Sequence, residues 1–364
     1  MKEKKSEETV EQEEFNKSES GVQFADIMKT QKGESIEQEI SNNLDTGISF
    51  KEIIKDEKKT IKRADDNEKI KQYEQIYDSL YEFTKGFVAY LKMGKKPQLS
   101  EAFRLIEYIV DNSESLDILY RKAIYTKTAD AHISNIVNVI IYALEIGEGL
   151  KFKRQQLIEL GVASLLHDIG MFRIPDNILN KTDKLTNEEF SLIKSHPSLG
   201  HEILLKLYPE YPWMAEVALQ EHEKENGQGY PNGLKGNAIN IYAKIVGIAD
   251  IFESLTHHRP QRKRFLPNDA VKIIISKERE TFPREVIKAM LTKLSVFPLY
   301  SYVRLNSKAV GMVIEVDEPS PLRPTIKILY DDKGRKVMGE KIIILKDTPL
   351  LYIIDSVDEE DLPK

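Results

Sequence analysis

Between Asp65 and Leu150 apolar residues recur every three or four positions, with Ile76, Leu80, Phe83, Phe87 and Leu91 on one stripe and FRLIEYIV on the next. That spacing predicts helices with one buried face, and breaks are expected near Gly94–Pro97 and Asp111–Ser115. The helical period continues from about 126 to 295. After Phe297-Pro298 it gives way to short, β-branched and often alternating runs, SYVRL, AVGMVIEV, TIKILY, KIIIL and LLYIIDSV. Asn-Ser, Pro-Ser-Pro and Asp-Asp-Lys-Gly turns separate them, which predicts a β unit of about five strands. Residues 1 to 62 show no sustained period and too little apolar surface to offset the entropy of ordering. The pattern therefore predicts a mainly α chain: a disordered acidic tail (1–62), a helical extension (63–125), a helical domain (126–295) and a small β unit (296–356).

Composition narrows the function classes. Of the formal net charge of −6, residues 1–60 supply −5, from 15 acidic and 10 basic groups, so the remainder is nearly neutral. Polymeric nucleic acid is not an expected partner, because its binding calls for a clustered basic face. The chain has no cysteine, which excludes disulfides and thiolate metal sites and leaves His, Asp and Glu as the available ligands. No stretch is apolar enough to span a bilayer and the N-terminus has no signal-peptide core, so a cytoplasmic location is expected. Neither a glycine-rich phosphate loop nor an internal repeat occurs.

The candidate chemistry lies in the centre. His132 in AHISNIVNVIIYALEIG shares a face with Ile136, Val139, Ile140 and Ala143. His167 and Asp168 close the apolar run GVASLLHDIG, Glu221 and His222 extend the stripe Met214, Val217, Ala218, and Asp250 follows Val246 by one turn. One histidine on an apolar face is commonly a hydrogen-bonded core residue. Four such sites in one helical segment are more economically explained by a shared metal centre than by four separate polar burials. Imidazole and carboxylate ligands suit Fe, Mn, Zn or Ni. Two adjacent ions acidify a water and stabilise both oxygens of an in-line phosphoryl displacement, which makes phosphodiester hydrolysis the natural reaction class.

LLHDIGMFRIPDNILNKTDKLTNEEF, KSHPSLGHEIL, EHEKENGQGYPNGLKG and IYAKIVGIADIFESLTHHRPQRK, in that order, resemble the HD-GYP branch of the HD metal-dependent phosphohydrolases. The match runs from about 126 to 294. The resemblance implies an HD-GYP helical bundle carrying two divalent ions, Fe or Mn ahead of Zn, Ni or Mg, and hydrolysis of the bacterial messenger cyclic di-GMP to pGpG or GMP. By matching position it implies His132, His167, Asp168, His196, His222 and Asp250 as metal ligands, with Asp168 as the bridge and the His167–Asp168 pair at the heart of catalysis. Gly229 and Tyr230 shape the mouth, and Arg259 and Arg262 meet the substrate's phosphates and guanines. The β unit resembles a small barrel often appended to these domains, expected to cover a helical face. His201, His257 and His258 match no ligand and are expected on the solvated surface.

Four positions depart from the family pattern. Glu221 stands in place of a second histidine; a carboxylate still binds a hard ion, but its charge weakens the Lewis acidity of the metals. Met171 replaces a lysine, and losing a charged transition-state contact costs on the order of 3 kcal/mol. Asn226 replaces an aspartate, and Thr128 replaces the glutamate of three-metal members, so a third ion is not expected. The leading reading is a cyclic di-GMP phosphodiesterase with reduced activity. The alternatives are a weak or inactive module acting as a cyclic-dinucleotide receptor or protein scaffold, and an enzyme for another cyclic dinucleotide. Signalling partners at the N-terminal region and a homodimer are compatible with all three.

Overall fold

The computed structural model describes residues 67–125, 130–179, 181, 183–257, 264–294, 297–316, 320, 322–358 and 361–363. The tail 1–62, Thr128, His258, Arg259 and Arg262 lie outside them. Helices α1 (Asn67–Lys92), α2 (Leu99–Asp111) and α3 (Leu116–Tyr125) come first, with breaks where the sequence predicts them. Then follow α4 (Ala131–Gly149), α5 (Arg154–Leu166), a 3₁₀ turn (Ile169–Arg173), α6 (Asp176–Leu179), α7 (Asn187–Ile193) and α8 (His196–Leu207). The helical part closes with α9 (Pro212–Gln220), α10 (Ile241–Thr256), α11 (Pro267–Lys277) and α12 (Arg284–Lys293).

Helix α4 is the axis of the fold. Every residue from Ile133 to Gly147 is buried, as expected of a helix that is apolar on nearly all sides. It packs against α1, α3, α5, α10 and α12. Truncating a fully buried member such as Ile140 to Ala is expected to cost about 2–5 kcal/mol.

Local chemistry sets where the helices begin. The Asp130 carboxylate caps α4 by accepting from the backbone N–H of His132 (3.0 Å) and Ile133 (3.2 Å), which places His132 in the first turn. Asn240 caps α10 through the Tyr242 N–H at 2.9 Å, and Thr186 and Glu189 form a reciprocal capping box on α7.

The five expected strands are β1 (Tyr302–Leu305), β2 (Val310–Glu315), β3 (Thr325–Tyr330), β4 (Ile342–Ile344) and β5 (Ile353–Val357). They pair antiparallel in the order β4-β3-β2-β1-β5. Arg264, after α10, ties to this unit through a 2.6 Å ion pair with Asp358. Among the described residues no helix is long and apolar enough to cross a membrane.

Candidate metal centre

Four elements deliver the polar cluster. His167 ends α5, Asp168 opens the 3₁₀ turn, His196 begins α8, and Glu221 and His222 follow α9. Their convergence depends on close backbone approach. A Cβ on Gly170 would lie 1.9 Å from the His196 carbonyl oxygen, and one on Gly247 would lie 2.2 Å from that of Glu221. Glycine at these positions lets the turn meet α8, and α10 meet the end of α9.

The two most buried histidines are oriented by their own backbone. His167 donates from Nδ1 to the Ser164 carbonyl at 2.7 Å, and His196 does the same to Ile193 at 2.8 Å. Because a carbonyl only accepts, both rings turn Nε2 inward, the atom suited to a metal. His196 Nε2 lies 3.3 Å from Asp168 Oδ1, 3.4 Å from Glu221 Oε1 and 3.1 Å from His222 Nε2. His167 Nε2 lies 3.7 Å from Asp168 Oδ2 and 4.0 Å from Glu221 Oε2. One ligand atom each from His196, Glu221 and His222 falls within 4.8 Å of the others.

Several of these atoms are buried yet complete no hydrogen bond: Nε2 of His132, Nε2 of His167 and both oxygens of Glu221. A buried carboxylate set among imidazoles and near a second carboxylate, Asp168, is expensive, and a cation among these atoms removes that expense. The residues present therefore fit divalent metal.

Electrostatics agrees with geometry. Burial alone would raise the Asp168 pKa, but His167, His196, His132 and His222 outweigh it and hold the carboxyl far below its usual range. Burial pushes the Glu221 carboxyl up, against the opposing pull of His167 and His196. Burial also disfavours charge on His196, yet the Glu221 and Asp168 carboxylates dominate and push its pKa up to about 9. His222 keeps 25 % of its side-chain surface open, but crowding by protein atoms and the neighbouring His196 lower it well below the usual value.

His132 sits edge-on to Phe172, with ring centroids 5.2 Å apart, and burial lowers its pKa. It faces Asp168 and His167 electrostatically. Asp250 reaches the cluster through its charge on His167 and accepts from Asn135 Nδ2 at 2.9 Å. Tyr230 stacks on His222 at 4.8 Å, and its N–H donates to the His222 carbonyl at 3.2 Å. A Cβ on Gly229 would lie 2.4 Å from Glu223 Cα, so this turn also needs glycine. Lys194 Nζ stands 5.1 Å from the Tyr230 ring centroid, and Lys92 Nζ stands 5.6 Å from that of Phe172, beside Met171.

Three residues absent from the sequence-level site shape it. Glu223, 1 % exposed, accepts from the backbone N–H of Asn232 (2.7 Å) and Leu234 (2.8 Å) and so ties down the Gly229-Tyr230-Pro231 loop. Asn135 and Glu253 meet behind Asp250 at 2.8 Å. The readable signal was two asparagines, Asn135 and Asn138, one turn apart on an apolar helix. One expectation is corrected: His257 is not a solvated surface residue. It is 16 % exposed, its Nε2 is 2.8 Å from the Ala123 carbonyl and its Nδ1 is 3.2 Å from Glu253 Oε1.

An HD-domain family model matches residues 105–286, and a KOW domain associated with HD domains matches 302–364. The chain belongs to the HD-domain family, and its motifs follow the order of the HD-GYP branch. The cyclic di-GMP phosphodiesterase PA4108 of Pseudomonas aeruginosa is 30% identical over 220 residues, 60% of this chain and 53% of that protein. A cyclic di-GMP phosphodiesterase of Thermotoga maritima is 37% identical over 147 residues, 40% of each chain. The 3'3'-cGAMP-specific phosphodiesterase 3 of Vibrio cholerae is 32% identical over 160 residues, 44% of this chain and 35% of that protein. The chain spans about half the length, or less, of these curated relatives. The solved structure of Bd1817, a HDG"Y"P protein from Bdellovibrio bacteriovorus, shares the fold, with TM-score 0.52 at 18% identity over 62% of this chain and 72% of that one.

Proposed function

We propose that this protein is a metal-dependent phosphodiesterase that hydrolyses cyclic di-GMP to pGpG or GMP. The observation that carries the reading is the convergence of buried ligand atoms lacking hydrogen-bond partners, on His132, His167 and Glu221, around Asp168 and the His196–His222 pair. His132, His167, Asp168, His196, Glu221, His222 and Asp250 would hold two divalent ions, Fe or Mn ahead of Zn, Ni or Mg. Such ions, when bound, supply Lewis-acid polarisation of a phosphoryl group and acidify water.

The chain's own residues do the rest. Once the extra protons that the neighbouring carboxylates favour on both rings have left, His167 and His196 turn an unprotonated Nε2 inward, because their Nδ1 protons are committed to carbonyls. Asp168 stays ionised and carries negative charge to the middle of the cluster. Gly229 and Tyr230 form the mouth, where the aromatic ring and Lys194 offer a nucleobase and a phosphate their respective partners. Arg259 and Arg262 are assigned to the substrate's phosphates and guanines on family resemblance alone. The absence of cysteine suits work in the cytoplasm. Signalling proteins at the N-terminal region and a second copy of the chain are the protein's further proposed partners.

A second reading rests on two positions. Glu221 adds negative charge at the centre, and Met171 offers no charge to a phosphate, so a slow enzyme or a cyclic-dinucleotide receptor fits the same pocket. The test is chromatography of products after incubating Mn(II)- or Fe(II)-loaded protein with cyclic di-GMP, beside His167→Ala. Linear product from the wild type only is expected. Retained nucleotide binding without turnover by either metal form would favour the receptor.

A further inference from the structure

Behind the proposed centre lies a buried polar chain that crosses from the N-terminal extension to Asp250. Tyr77, on α1 and 1 % exposed, donates its hydroxyl to Asn138 Oδ1 at 2.9 Å. Asn138 Nδ2 reaches Glu253 Oε1 at 3.4 Å. Asn135 Nδ2 donates at once to Glu253 Oε2 (2.8 Å) and Asp250 Oδ1 (2.9 Å). Asn138, Glu253 and Asn135 are all 3 % exposed or less.

The chemistry fixes the amide. Glu253 and Asp250 lie one turn apart on α10, two like charges on one face. Turning the amide over would aim its oxygen at two carboxylates, so both N–H bonds of Asn135 are held between them. A donor locked to one oxygen sets the plane of the Asp250 carboxylate, and such outer contacts govern how well a ligand meets its metal. Glu253 is in turn braced by Asn138 and by His257, whose Nδ1 lies 3.2 Å away.

We propose that Asn135 is a positioning residue: it orients the Asp250 carboxylate for metal binding, and the Tyr77–Asn138–Glu253 chain holds Asn135 in place from α1. This rests on the reading of Asp250 as a ligand. It assigns the N-terminal extension a share in the centre, since α1 supplies the first link.

The test is Mn(II) titration of the full chain, followed by the electron paramagnetic resonance of free Mn(II), for Asn135→Ala, Asp250→Ala and the double variant. Melting of each metal-free protein is measured alongside. Asn135→Ala is expected to weaken Mn(II) binding by about 10- to 100-fold. The same change added to Asp250→Ala is expected to have no further effect. Asn135→Ser, which keeps a donor, should recover part of the loss, and Tyr77→Phe, which removes one hydroxyl, should lower affinity by less than Asn135→Ala. Wild-type affinity in Asn135→Ala, with loss in Asp250→Ala, overturns the positioning role and leaves the metal centre standing. Equal losses from Asn135→Ala in both backgrounds overturn it too, because they show an effect not routed through Asp250. Wild-type affinity in Asp250→Ala removes Asp250 from the ligand set and the inference with it.

Discussion

The end of α9 and the loop that follows each bury a glutamate, and the two are treated in opposite ways. Glu223, in the loop, has both oxygens met by backbone N–H groups of Asn232 and Leu234. Glu221, two residues earlier and 2 % exposed, completes no hydrogen bond at either oxygen. Burial alone does not separate a structural carboxylate from a metal ligand; the donors around it do. The loop's glutamate stabilises a fold whose charge is already answered. That at the helix end lies among the imidazoles of His167, His196 and His222, beside the Asp168 carboxylate, where a cation could be shared.

Replacing each glutamate should therefore separate fold stability from metal affinity. Glu223→Ala removes two charge-assisted hydrogen bonds and is expected to destabilise the protein by about 3 kcal/mol in urea denaturation. Gly229→Ala drives a methyl group into the Glu223 backbone and should cost about 2 kcal/mol in the same assay. Metal affinity should depend on pH. Because the His196 pKa is pushed up to about 9, the metal-free centre holds a proton below that pH which an incoming ion must displace. Mn(II) affinity measured by titration should then fall about tenfold for each pH unit below that point and level off above it. Smallest in stability, Glu221→Gln keeps the side chain's size but removes the charge beside the protonated His196, and should cost about 1 kcal/mol of metal-free stability, less than Glu223→Ala, while lowering Mn(II) affinity. A loss of metal-free stability in Glu221→Gln as large as that in Glu223→Ala would erase the contrast with Glu223.

The helical stripes and alternating strands were legible because period reports burial directly, and the ligand types were legible because apolar runs led into them. The partners were not. His257 is held by Ala123, 134 positions away, and Asn135 by residues more than a hundred positions along the chain. No local pattern encodes such pairings. Glu223 shows the same limit at short range: its flanking sequence, EHEKENG, is as polar as any surface turn, and only the folding back of Asn232 and Leu234 buries it. Asn135 and Asn138 were visible as polar interruptions of an apolar helix, although what they hold was not.

If the carboxylate at the end of α9 belongs to a metal centre, an ion should sit beside it. Anomalous difference density at the manganese edge, from crystals grown with Mn(II), tests it most directly. A peak enclosed by His196, Glu221 and His222 is expected. Absence of density there from fully loaded crystals, or a peak from which the Glu221 carboxylate is turned away, would contradict it.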